Sequence, residues 1–176
     1  SPSLTFIVDS GSQSLPSLTP GSLAATSSIL SVKTNNGNGY MITVQRSNAT
    51  STLMLTGDSV TGIADKSEWL APTGLNATTT PGNTTASTTQ PQSLQFRLWK
   101  AQTDFQNYST AWWGNDDTSV NALFAGIPTS TQTIVNSSVP ALSTSTARIL
   151  YDVNVPVIQK TGTYSGGITY TAATNP

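Results

Sequence analysis

Two runs near the end of the chain alternate with period two, and this constrains the fold more than any other feature. Ala147, Ile149, Tyr151, Val153 and Val155 share one face, and Arg148, Asp152 and Asn154 the other, with only Leu150 out of step. That is the pattern of a strand with one face buried. Pro156 has no N–H for a ladder and ends the run, and Gly162 supplies a turn residue. A second run follows, with Tyr164, Gly166, Ile168, Tyr170 and Ala172 opposite Ser165, Gly167, Thr169 and Thr171. The spacing predicts a long hairpin whose apolar face needs earlier strands to cover it.

The rest of the chain provides them. LTFIVD (4–9) is a short β-rich run that stands apart, followed by the turn-forming GSQSLPSLTPGS. SSILSVKT, the NNGNG turn (35–39) and YMITVQR read as a second hairpin, which STLMLTG extends to a three-stranded meander over residues 26–57. In LQFRLWK, Leu94, Phe96 and Leu98 alternate against Gln95 and Arg97, and TQTIVN is a further strand. Between them, residues 73–93 lack apolar periodicity and are dominated by Thr, which predicts a long surface loop inserted into one domain. The expected fold class is all-β, an antiparallel sandwich of about eight strands. Residues 1–23 form an N-terminal strand with a flexible segment, and residues 24–176 form the sandwich.

Composition narrows the chemistry. Ser and Thr make up roughly a third of the residues, while charged residues are 9% and the net charge is −1. Seven scattered basic residues leave no footprint for a phosphate backbone or an anionic lipid, so nucleic acid is not an expected partner. No apolar run is long enough to span a bilayer, and membrane insertion is not expected. Without Cys or His and with a single Glu, the chain has no thiol nucleophile, imidazole ligand or histidine base, so an enzyme would have to run on Asp. Asp116 and Asp117 are adjacent, and on a strand they would diverge. GNDDTS (114–119) lacks the spacing of a calcium loop and reads as an Asp-rich turn held by its own caps. The expectation is a protein that is not an enzyme and carries no metal or cofactor.

The strand TFIVDS, the LPSLTPGS loop, SSILSVKTNNGNGYMITV and the terminal YDVNVPVIQKTGTYSGGITYTA together resemble pilin-like, immunoglobulin-type β-sandwich proteins that bacteria secrete to their surface. The match covers residues 4–45 and 147–172. The ending is also similar to the tail of the WxL cell-wall-binding domains, although Trp69 is followed directly by Leu70 and Tyr170 stands where that family has Trp. The resemblance implies an immunoglobulin-like sandwich and an extracellular scaffold or filament subunit at the cell surface, and it carries over no catalytic residue.

Three sets of residues are candidates for function. Leu4, Phe6 and Val8 lie on one face of a first strand followed by a Gly/Ser/Pro-rich segment. Such a strand pairs within its own domain or completes the sheet of the next molecule, and a head-to-tail contact of that kind propagates as a fibre of identical copies. Trp112 and Trp113, beside Asn115 and Asp116, would suit a sugar-stacking platform and define the competing expectation, an adhesin or a carbohydrate- or cell-wall-binding module. The plainer reading of the Trp pair is packing, with the two rings on opposite faces of a strand. Asn48, Asn76, Asn83, Asn107 and Asn136 stand in Asn-x-Ser/Thr sequons, candidate glycosylation sites.

Overall fold

The computed structural model describes residues 1–71, 93–118 and 121–176. Its strands are β1 (Leu4–Val8), β2 (Leu23–Thr34), β3 (Tyr40–Arg46), β4 (Leu53–Leu55), β5 (Gly62–Ile63), β6 (Leu94–Leu98), β7 (Gln132–Ser137), β8 (Ala141–Asn154), β9 (Tyr164–Ser165) and β10 (Ile168–Thr174). They form one sheet in the order β1-β2-β8-β6, a second in the order β10-β3-β7 and a small third in the order β5-β4-β9. Every pairing of these strands is antiparallel, so the fold is all-β as the alternation predicts. Leu30 and Val32 of β2, Ile149 and Val153 of β8 and Phe96 of β6 meet Tyr40, Ile42 and Val44 of β3 and Ile134 of β7 in one apolar cluster. In β2, β3, β6 and β8 its members recur at every second residue, the spacing that puts them on the face turned to the other sheet, while β7 contributes the adjacent Ile134 and Val135 where its register with β3 shifts.

The pairing differs from the expected hairpins. β2 pairs with β1 and β8 while β3 pairs with β10 and β7, so the NNGNG turn is a corner between sheets. β4 pairs with β5 and β9, which removes the meander over 26–57. The two C-terminal runs are likewise in different sheets, β8 beside β2 and β6, and β10 beside β3. The physical reason is common to all three. Alternation reports which face is buried and is the same whether the next run in sequence lies beside a strand or across the core from it. The corner is fixed by local chemistry: Gly39 has φ +80°, and a Cβ there would lie 2.0 Å from the Ser137 carbonyl oxygen. Asn36 Nδ2 donates to the carbonyls of Gly39 and Asn175 at 2.9 and 2.8 Å.

β2 and β8 set the long axis. Leu23 lies opposite Asn154 at one pole, and Thr34 opposite Ala141 at the other. The twelve residues of β2 place these poles about 36 Å apart at ~3.3 Å per residue. The β9 region and the Pro156–Thr161 turn lie at the first pole, and the Asn35–Gly39 corner at the second. Most of the expected insertion, residues 73–92, lies outside the described residues. Ser93 is buried, and its carbonyl accepts from Asn154 N at 3.0 Å.

Candidate functional site: the first strand and the cleft beside it

β1 lies at the edge of the four-stranded sheet, paired in its own chain with β2 from Leu4↔Thr34 to Val8↔Leu30. Leu4, Phe6 and Val8 are half-buried and pack on the core, as their spacing predicts, and Ile7 on the opposite face is 58% exposed. At its ends β1 is held by Ser3 N donating to Asn35 Oδ1 at 2.7 Å, Thr34 Oγ1 donating to the Ser3 carbonyl at 2.6 Å, and Asp9 N donating to the Ile29 carbonyl at 2.9 Å. Its outer edge has no strand partner among the described residues.

β1 covers only the second-pole half of β2. Because the Ile29 carbonyl points toward β1, period two aims the backbone groups of Ser27 and Ala25 the same way, and no described residue pairs with them there. Beside this uncovered half runs the irregular segment Asp9–Ser22. It is anchored by Leu15 and Leu18 on the core and by Gly21 N donating to the Val155 carbonyl at 2.8 Å. Between the segment and β10 lies a cleft of about 1050 Å³. Its apolar walls include Leu53, Val153 and Ile168, its rim is rich in Ser and Thr, and Lys160 is the one charged side chain among its described lining residues. The hydroxyls of Tyr151 and Tyr170 meet across the two sheets, and burial pushes both phenols above their ordinary range.

The aromatic candidates sit elsewhere. The segment containing Trp112 and Trp113 forms a four-residue helix, α1 (Thr110–Trp113), in place of the expected strand, so the two rings are not set on opposite faces of a sheet. Trp113 is 0% exposed, with its centroid 4.7 Å from Trp69 and 5.4 Å from Phe96, and it therefore presents no surface on which a sugar could stack. Trp112 is half-buried against Trp69, 5.3 Å away. Trp69 is the partner that sequence reading missed. It lies more than forty positions away in the chain, and no spacing connects them.

Arg97, expected on the outer face of β6, is buried as well, because residues 113–117 fold over it. Asp117 pairs with its Nη1 at 2.9 Å, while the Trp113 and Asp116 carbonyls each accept from Nη2 at 3.1 Å. Asp117 also accepts from the backbone N–H groups of Lys100 and Ala101, both at 2.8 Å. Asp116 accepts from Thr118 and Asn121, bonds that hold its carboxyl below the usual carboxylate range. The Asp-rich turn thus spends its oxygens on protein donors. A second buried ion group was also not foreseen: Arg46 holds Asp65 at 2.7 Å and Glu68 at 3.1 Å, tying the end of β3 to residues 65–68.

The sequons divide. Asn48 and Asn136 are exposed, and Asn76 and Asn83 lie outside the described residues. Asn107 is 3% exposed and corrects the expectation for that site: Oδ1 accepts from the Tyr40 hydroxyl, and Nδ2 donates to Ser145 Oγ and the Thr146 carbonyl. A side chain committed to three buried bonds cannot carry a sugar in this fold. Comparison of the chain with family models, with curated proteins and with solved structures finds no match.

Proposed function

We propose that the chain is a structural subunit of an extracellular fibre and that the fibre grows by exchange of β1 between copies. The observation that carries this reading is the way β1 is attached. It is a five-residue edge strand that plugs three apolar side chains into the core, and it is joined to its neighbour by a connection far longer than a hairpin of two to five residues. From Val8, opposite Leu30, the chain has only to travel beside β2 to Leu23, about 23 Å at ~3.3 Å per residue. The connection Asp9–Ser22 has a fully extended reach of about 46 Å. The surplus lets β1 leave its slot and occupy the identical slot of a second copy, where it makes the same backbone bonds and buries the same side chains.

Half-burial of Leu4, Phe6 and Val8 is worth roughly 1 kcal/mol each. That is small enough for release without global unfolding and large enough to hold a junction when regained in trans. The exchange is heterologous and does not close, so it produces a filament. A hydroxyl-rich, sparsely charged surface suits close lateral contact in such a polymer, and the resemblance to secreted surface proteins agrees with an extracellular location.

Negative-stain microscopy and size exclusion of the native protein test this. The expected result is uniform fibres that persist on dilution and are lost when residues 1–9 are deleted. A single monomer peak at every concentration, with no fibres, would overturn it.

A further inference from the structure

The exposed large apolar side chains of the described residues are concentrated toward the two poles. At the first pole the Pro156–Thr161 turn projects beyond β8, with Ile158 91% exposed and Val157 and Leu23 beside it. At the second pole Phe105 is 87% exposed and Leu142 and Val139 are also exposed. Here a concavity of about 260 Å³ is lined by Asp104, Gln106 and the run Pro140–Ser145, which includes Leu142. Ile7, Val60 and Leu70 are exposed as well, but clusters of apolar side chains such as these two suit an interaction site.

A cation stands beside the first patch and a carboxylate beside the second, with Asp58 against the former and the exposed Lys33 one residue from Thr34 at the second pole. The turn at the first pole carries Lys160, whose side chain is 63% exposed and whose contact with Asp58 is a loose 3.4 Å. The concavity at the second pole carries Asp104, which uses Oδ2 for Ser145 Oγ and Thr146 N and leaves Oδ1 without a bond to any described residue.

We infer that the first pole of one copy docks on the second pole of another, with Ile158 entering the concavity beside Phe105 and Leu142 and Lys160 facing Asp104. The contact is directional, because joining like poles would set Lys160 against Lys160 or Asp104 against Asp104. It also agrees with the route of strand exchange, on whose reading the fibre but not the docking itself rests. The connection to β1 is rooted at Leu23, at the first pole, and the slot for β1 lies along Leu30–Thr34, toward the second. A copy docked in this way brings its strand root nearest to its neighbour's slot. Docking precedes exchange and raises the local concentration at which it occurs.

The chain has no cysteine, so single exposed thiols report the contact cleanly. Full-length Ile158→Cys and Leu142→Cys proteins, each checked for native circular dichroism, are mixed under mild oxidation, and disulfide dimers are counted. The mixed pair is expected to form roughly tenfold faster than either like pair, through the effective concentration that docking supplies. Introducing Lys160→Glu into the Ile158→Cys protein should remove most of that advantage. Like pairs forming as fast as the mixed pair would overturn the docking, even if native fibres are seen. A mixed-pair advantage in a protein that forms no fibres would support the docking and count against the filament alone.

Discussion

Asp152 lies on the face of β8 that also carries Arg148, beside Gln95 on β6, and burial pushes its carboxyl up to about 6 despite the opposing Arg97 charge and the Gln95 bond. A carboxyl raised in the folded state contributes stability that is fully present below its unfolded value and is lost as pH rises through about 6. Asp58 and Asp116 work the other way. Their carboxyls are lowered by hydrogen bonds, from Val60 and Thr61 in one case and from Thr118 and Asn121 in the other, so their contribution is present at neutral pH and lost in acid. The melting temperature should therefore peak on the acid side of neutrality, at about pH 4–5, and decline toward pH 7. Asp152→Asn should flatten that decline and stabilise the protein at pH 7 by on the order of 1–3 kcal/mol. Thermal melts across pH check this, and an unchanged slope in the variant would sink it. The caps on Asp116 were readable in GNDDTS, but the burial of Asp152 was not, because Asp152 alternates with Tyr151 and Val153 as a solvent-facing residue would, and what buries it comes from distant parts of the chain.

Strands were legible in the sequence where side chains alternate: β1, β2, β3, β6, β7, β8 and β10 all fall on the runs that periodicity marks out. Their partners were not, since Leu30 and Val32 point inward equally well beside β3 or beside β8. β5 was missed because two residues are too few to show any period, and the single run read over residues 164–172 is split into β9 beside β4 and β10 beside β3. The site was half legible: Leu4, Phe6 and Val8 lie on the core as expected, whereas the cleft depends on how β2 and β10 are placed across from each other. At this scale the testable property is how readily β1 opens. It is held by half-buried side chains and one ladder, whereas β8 is paired on both edges and lies over the core. Amide exchange at Ile7 and Asp9 should be faster than in β8 by on the order of a hundredfold or more. Equal protection in the two strands would mean that β1 leaves only on global unfolding and would remove the low-cost route to exchange.

In the whole molecule, one chain carries both a strand and the slot for it, so the strand's contribution can be separated from its covalent attachment. A protein lacking residues 1–9 keeps the buried contacts between β2, β8, β3 and β7 and loses the plug formed by Leu4, Phe6 and Val8 together with the β1–β2 ladder. It should fold with a lower melting temperature, by an amount matching roughly 2–4 kcal/mol. Adding a free peptide of residues 1–9 should restore stability in a concentration-dependent way, since a ligand that binds only the folded form stabilises by RT ln(1 + [L]/Kd). The same peptide carrying Phe6→Asp should not, because it would place a charge against the core. Restoration by the native peptide would establish that the slot accepts the strand in trans, the step every junction of a fibre requires. If saturating peptide leaves the melting temperature unchanged while the truncated protein remains folded, the slot collapses once β1 has left. Growth would then depend on direct hand-over between docked copies, with strand and slot never empty together.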